Sequence, residues 1–384
     1  MNIYFMSTAT SLVGGAIRSL LSIIEDCKSQ DIKCTVVLKG HGPIEQELDS
    51  RQINYVVVKS YDWMQPHYKW KGLANHIKWF IKKTLNFVAE VKIYHIFAKE
   101  KPDLYYLNVL YNPCGVKAAK KLKIPIIWHI REFVNIDDVN TDWFYDSKKA
   151  FRVMKYANKY VAITDSIKNY YSQFLPGDKI IRIYNGLEMP SNIKERQPQK
   201  QLYKITLSGA KKFKGHIDAI ESFRILKGRG IKNIKLRLIG AFIDTDYLEF
   251  LQNKIKEYMI EDMVEFNAFT KDMEAVFTDT DIGLICSRYE PFSRYAVEIM
   301  SRAIPLITTE SAGVYEVTHY GEYCSTYPET DYNQLANVIQ TIVENYSDYA
   351  SKAYRISEIV RDEYSVQRTT HSVIELIRET AVSE

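Results

Sequence analysis

Short apolar runs recur along the chain, each followed by a stretch with helical spacing. In the first half the runs are NIYFM, CTVVL, NYVVV, LYYLN, PIIWHI, KYVAIT and IIRIYN. Residues 16–29 and 115–123 repeat apolar positions every three to four residues and read as helices between them. This βαβ rhythm predicts a doubly wound parallel sheet. The rhythm stops at YNGLEMPSNIKERQPQKQ, a polar segment with two prolines. A second series then begins: YKITLSG, KLRLIG, MVEFNAF, DIGLICS, IPLITT and EYCSTY, with helical patterns over 215–227, 247–258 and 292–302. The pattern therefore predicts an N-terminal domain over 1–185, a linker over 186–201 and a second domain over 202–363. A last helix over 364–384 is expected to pack back on the first domain. Two α/β domains of this kind face a cleft, and ligands in such sheets bind outside the carboxyl ends of the strands.

Composition narrows the function classes. With 384 residues, 46% apolar and 26% charged, two domains with sizeable cores are expected. A net charge of +4 is too mild for a nucleic-acid binder. Five scattered cysteines, Cys27, Cys34, Cys114, Cys286 and Cys324, have neither zinc-ligand nor redox spacing. The histidines form no HxH or HExxH pattern, so neither a metal nor a bound cofactor is expected. The opening MNIYFMSTAT starts on a strand pattern rather than on a charged and then apolar leader. No apolar run approaches the ~20 residues that span a bilayer. The expected location is cytoplasmic and reducing.

Three loops carry candidate chemistry. In STATSLVGGAIRSLL, Gly14 and Gly15 stand where a helix opens, so backbone N–H groups can approach an anion. The plain alternative is a glycine turn with no ligand. In LSGAKKFKGHIDAI a strand ends at Ser208 and Gly209, and Lys211, Lys212 and Lys214 follow. Lysines at a strand terminus suit a diphosphate; a solvated basic turn is the alternative. In RYEPFSRYAVEIM, Pro291 and Ser293 suit a helix start. Glu290 rims the loop, and Glu298 falls on the second helical turn. Two acceptor-only carboxylates beside helix N–H groups fit a polyol joined to a phosphate. A helix cap and a surface acid are the alternative.

The run SRYEPFSRYAVEIMSRAIPLITTESAGVYEV resembles the signature of retaining glycosyltransferase family 4, with Glu, seven residues, Glu, and Pro-Phe after the first Glu. Other segments resemble that family in the same order: GGAIRSLL, YVAITDSIKNYY, IRIYNGLE and the stretch from LRLIGAF to DIGLICS. The resemblance implies a GT-B fold: two Rossmann-like doubly wound parallel-sheet domains. It implies a nucleotide-sugar donor, UDP-linked, and a glycan or polyprenyl-diphosphate-linked acceptor in surface polysaccharide synthesis. By similarity Glu290 contacts the transferred sugar, Glu298 holds the ribose, and Lys214 binds phosphate. Gly14, Gly15, Ser208, Gly209, Lys211, Lys212, Gly240, Pro291, Phe292, Ser293 and Arg294 are the other donor-binding candidates. Within IPIIWHIREF, Arg131 falls on the family's usual His position, and His129 stands two residues earlier on the same side of a strand. Both are candidates for the reacting sugar; the alternative is a buried His129 with Arg131 in a structural ion pair. Metal-independent transfer with retention is implied, with Lys and helix dipoles as the electrophile.

The chain also departs from the family. Ala210 stands where Arg is common, Ser293 where Gly is usual, and Ala268 and Ala303 replace glycines. The missing Arg keeps open a degenerate, non-enzymatic partner subunit. A nucleotide-sugar epimerase on the same frame is a further alternative, and a phosphorylase lacks a recognisable pyridoxal-lysine context. Residues 64–89 carry Lys69, Lys71, Lys78, Lys82 and Lys83, no acid, and interleaved Trp70, Trp79, Phe80 and Phe87. Such a stretch fits an anionic membrane surface; an ordinary surface helix with its aromatics in the core is the alternative.

Overall fold

A computed structural model describes residues 1–12, 14–66, 73–134, 142–144, 146–197 and 201–382; of residues 65, 66, 73–76, 142 and 143 it describes the backbone alone. The strands are β1 (Asn2–Ser7), β2 (Lys33–Leu38), β3 (Asn54–Val57), β4 (Met64–Pro66), β5 (Leu104–Leu107), β6 (Ile126–Ile130), β7 (Asp142–Phe144), β8 (Lys159–Ala162) and β9 (Ile180–Arg182) in the first half. In the second they are β10 (Tyr203–Ser208), β11 (Ile234–Ile239), β12 (Val264–Asn267), β13 (Ile282–Ile285), β14 (Leu306–Thr309) and β15 (Ser325–Tyr327). The helices are α1 (Gly15–Ser29), α2 (Ile44–Ser50), α3 (Leu73–Glu100), α4 (Val116–Lys121), α5 (Ser147–Met154) and α6 (Asp165–Tyr171). They continue with α7 (His216–Gly228), α8 (Thr245–Glu257), α9 (Met273–Thr278), α10 (Arg294–Met300) and α11 (Ala312–Val317). The last three are α12 (Tyr332–Glu344), α13 (Tyr346–Glu363) and α14 (Val366–Val382).

The chain divides into two units, Met1–Gly186 with Val366–Glu384, and Leu187–Ser365. Among the described residues the first unit holds a seven-stranded parallel sheet in the order β3-β2-β1-β5-β6-β8-β9. Its central strands are buried on both faces, so they read as continuous apolar runs rather than alternating ones. A short antiparallel pair, β4 with β7, lies outside that sheet. Helix α14 packs on α1, and Val373, Ile374 and Ile377 join the core built by Ile17, Leu20 and Ile24.

The second unit holds a six-stranded parallel sheet in the order β12-β11-β10-β13-β14-β15. Its core gathers Ile205, Leu207, Phe223, Leu236, Leu284 and Ile307. Residues after Gly186 are tied to this unit. The Leu187 N–H donates to the Tyr364 carbonyl at 2.9 Å, and the Arg196 guanidinium donates to the Phe277 and Thr278 carbonyls at 2.7 and 3.1 Å. A cation at the carboxyl end of α9 satisfies carbonyls the helix leaves open.

Both sheets reverse strand order once, between β1 and β5 in the first unit and between β10 and β13 in the second. At such a switch the loops leaving adjacent strands diverge and open a crevice at the carboxyl edge. Among the described residues no helix is long and apolar enough to cross a membrane.

Candidate functional site

In the second unit the switch point brings together the loops after β10 and β13. The first passes through a single turn over Lys212–Lys214 and enters α7. Gly215 sits at that junction with φ +71°, and a Cβ there would lie 2.1 Å from the Cys286 carbonyl oxygen, so only glycine lets the two loops touch. Lys214 Nζ donates to Glu290 Oε1 at 2.9 Å. The Lys214 and Glu290 side chains are 19% and 13% exposed. The other carboxylate oxygen of Glu290 is buried and has no hydrogen-bond partner among the described residues. It is an acceptor held ready for a donor group such as a hydroxyl.

Lys214 and Glu290 line a pit of about 10 Å³, room for one water-sized group, together with Ser208, Ser287, Ser293 and Tyr295. The Glu290 loop is fixed from outside: Gly313 N–H donates to the Glu290 carbonyl at 3.0 Å, and a Cβ on Gly313 would lie 2.0 Å from the Pro291 oxygen. Ser293 caps α10, its Oγ accepting from the Ala296 N–H at 3.3 Å. The helix therefore starts at Arg294 rather than near residue 292. Phe292 turns inward and meets the Tyr364 ring edge-on at 6.2 Å. Glu298 lies one turn along α10, its carboxylate 3.9 Å from the Arg294 guanidinium. Gly209 donates its N–H to the Ile239 carbonyl at 2.8 Å. Gly240 follows β11 and lies against Ala210. Lys211 and Lys212 are exposed on the same turn.

His216, unremarked among the candidates read from sequence, is buried and ties this loop down. Its Nε2 is 2.8 Å from the Gly209 carbonyl and its Nδ1 3.2 Å from the Tyr247 hydroxyl. A carbonyl only accepts, so Nε2 carries the hydrogen and Nδ1 accepts from Tyr247. Burial, opposed by the Gly209 bond and assisted by the Lys214 charge, pulls its pKa from 6.5 down to about 4. Below pH 6.5 the unfolded chain takes up a proton that the folded one refuses until about pH 4, so this contribution is complete above 6.5 and lost as pH falls through that window. Urea unfolding of the second unit is expected to show about 2–3 kcal/mol more loss between neutral pH and pH ~4.5 in the wild type than in His216→Gln. Equal losses in the two proteins would refute this assignment.

The first unit builds a separate cluster at its own switch point. Gly14 precedes α1 with φ +116°. Asn108, just past β5, donates from Nδ2 to the Ala16 carbonyl at 3.0 Å. Arg131, just past β6, donates to Asn108 through Nε to the carbonyl (3.1 Å) and through Nη2 to Oδ1 (3.0 Å). Its Nη2 also reaches Ser19 Oγ at 3.2 Å, and its Nη1 bonds Asn185 Oδ1. His129 Nδ1 lies 2.6 Å from the Tyr106 hydroxyl and 3.1 Å from Arg131 Nη2. Guanidinium only donates, so Nδ1 is the accepting nitrogen, and the Nε2–H is buried without a partner among the described residues. Burial, reinforced by the Arg131 charge, holds the His129 pKa well below its usual value, so the ring is neutral. His129 is 1% and Arg131 7% exposed. The sequence thus places them on one side of the chain, and the fold brings Ser19, Tyr106, Asn108 and Asn185 to them.

Of the basic aromatic stretch, Lys69, Trp70 and Lys71 lie outside the described residues. Along α3, Phe80 and Phe87 stand in solvent rather than in the core, at 63% and 69% exposure.

Residues 190–361 match the family model for glycosyl transferases group 1. A mannosylfructose-phosphate synthase of Agrobacterium fabrum is 28% identical over 116 residues, 29% of this chain and 26% of that protein. A putative colanic acid biosynthesis glycosyltransferase WcaL of Salmonella typhimurium is 25% identical over 244 residues, 59% of this chain and 58% of that protein. The matches thus span about a quarter and somewhat over half of these curated relatives. Among solved structures, Anabaena Alr3699/HepE in complex with UDP-glucose superposes with TM-score 0.75 at 19% identity, covering 99% of this chain and 100% of that one. A glycosyltransferase from Rickettsia africae ESF-5 gives TM-score 0.80 at 16% identity, covering 100% and 99%. These likenesses establish the GT-B fold.

Proposed function

We propose that residues 190–361, which match the family model for glycosyl transferases group 1, are the donor domain of an enzyme that moves a sugar from a UDP-linked donor to a glycan acceptor, with retention and without a metal. The observation that carries the reading is the Lys214–Glu290 pair at the switch point of that domain, with one Glu290 oxygen left unshared. In this reading the donor opens the pair. Lys214 meets the departing diphosphate, and Glu290 accepts hydrogen bonds from sugar hydroxyls. The bond from the anomeric carbon to phosphate breaks as the acceptor oxygen bonds on the same face. The acceptor's proton leaves on a phosphate oxygen, and the lysine charge supplies what a divalent cation supplies elsewhere. A nucleotide-sugar complex in a neighbour of the same fold and a relative named for colanic acid biosynthesis favour a polysaccharide setting.

A thermal-shift series on the full chain tests the donor class. UDP or a UDP-sugar at about 100 times its dissociation constant stabilises the folded state by roughly 2.7 kcal/mol. For a unit of this size that raises the transition by about 5–10 °C. GDP- and ADP-linked sugars are expected to give less. NMR of the product with EDTA present reads both finer claims: an inverted anomeric centre would refute retention, and activity restored only by added divalent cation would refute metal independence. Isomerised donor without transfer would favour an epimerase.

A further inference from the structure

A second site lies in the first unit, away from the Arg131 cluster. A cavity of about 800 Å³ opens along α3 between Trp79 and His95, with α4 and α5 also lining it. That volume falls within the roughly 300–1,000 Å³ of small-molecule sites. Trp63, Trp79, Phe80, Phe87, Val91 and Tyr94 supply its apolar wall. The apolar face continues beyond the mouth onto exposed Ile77, Ile81 and Val88. An exposed aromatic and aliphatic face of this kind marks a surface that something apolar covers.

The rim is cationic. Lys82, Lys83, Lys117, Lys121 and Lys149 line the same cavity. Two are steered by the wall itself: Lys83 Nζ lies 5.3 Å from the Trp79 ring centroid and Lys121 Nζ 4.7 Å from that of Tyr94. The acids that line the cavity have partners of their own, although the Asp62 Oδ1 is buried without one among the described residues. Asp62 accepts from Lys39 at 2.6 Å. Glu90 accepts backbone N–H bonds from Gly115, Lys117 and Ala118 at the start of α4, and Asp146 caps α5. Burial and the neighbouring Lys83 and Lys117 charges pull the Lys149 ammonium below its usual pKa. Crowded cations beside a dry wall are relieved by an anion that carries its own hydrocarbon.

We propose that this cavity binds a single-chain lipid phosphate, the phosphate among Lys83, Lys117 and Lys149 and the chain along Phe80, Phe87 and Val91. The charge complementarity and the apolar wall together select this occupant over a free anion or a neutral lipid. The assignment stands on this cavity alone and does not depend on sugar transfer, so UDP-induced stabilisation and lipid-phosphate binding succeed or fail separately.

The test uses the full chain and farnesyl phosphate below its aggregation concentration, read by calorimetry and by the fluorescence of the wall tryptophans. Saturable binding is expected, with inorganic phosphate and farnesol each weaker by at least about tenfold. The double substitution Lys83→Gln with Lys149→Gln is expected to weaken farnesyl phosphate by about tenfold or more without moving the thermal transition. Phe87→Asp, on the other wall, should weaken it as well, which guards against a reading based on charge alone. Four outcomes would overturn the proposal: equal affinity for inorganic phosphate, unchanged binding by the double variant, binding to anionic phospholipid vesicles but not to monomeric farnesyl phosphate, or a dimer dispersed by Phe80→Asp in a protein that takes up no farnesyl phosphate.

Discussion

Glu290→Gln is expected to lower kcat/KM for sugar transfer by about two to three orders of magnitude while leaving the second unit folded. The substitution is nearly isosteric, so the contacts of the loop with Gly313 and Ser311 survive. What changes is the acceptor. The carboxylate offers one oxygen to Lys214 and one to a ligand; the amide turns one of those positions into a donor and removes the charge. Lys214→Gln should cost a similar factor, because the pair shares one charge balance. The double variant should then lose far less than the product of the single losses, the signature of side chains that act as a unit. Thermal unfolding should move by less than about 2 kcal/mol in either single variant, since the pair is only partly buried. Transfer by Glu290→Gln at more than half the wild-type rate would remove this carboxylate from the reaction.

Much of the architecture is legible because the central strands of both sheets are buried on both faces, which turns them into apolar runs bounded by turn residues. The β4–β7 pair escapes that reading: each strand is three residues long, too short for any period to register. The start of α10 is misjudged for a local reason. Phe292 has the spacing of a helical residue, yet it serves the core through Tyr364 and leaves the cap to Ser293. The basic loop and the glutamate loop are legible as separate segments, but their meeting is a matter of sheet order, since Lys214 and Glu290 are 76 residues apart. The Arg131 cluster shows the same limit more sharply. Alternation along β6 places His129 and Arg131 on one side, whereas their partners Ser19 and Asn185 lie 112 and 54 residues from Arg131. Nothing periodic connects such positions. Whether the α3 aromatics face core or solvent is likewise undecidable from spacing, because both faces of that helix carry large apolar residues.

That cluster yields the second large effect. Arg131→Met is expected to destabilise the first unit by about 3–5 kcal/mol, the cost of leaving several buried acceptors without their donor. The methionine fills much of the volume but donates nothing. Asn108 then loses donors to its carbonyl and side-chain oxygens, and Asn185 and Ser19 each lose one bond. Asn108 also grips the Ala16 carbonyl in the first turn of α1, so the loss reaches the glycine turn that starts the helix. Calorimetry should resolve the first unit melting about 10 °C lower, with the UDP-dependent shift of the second unit retained. Arg131→Lys should recover part of the loss through charge, but not the bonds that need a planar fork. A pH series adds a signature that simple loosening of the core does not produce. The Arg131 charge helps to hold the buried His129 below its usual pKa. A histidine held that way costs stability as pH falls through and below its unfolded value. Removing the charge lets the His129 pKa rise, so the variant, though weaker at neutral pH, should lose less on further acidification than the wild type. A destabilisation under about 1 kcal/mol, or identical acid slopes in the two proteins, would show that Arg131 does not hold this end of the sheet together.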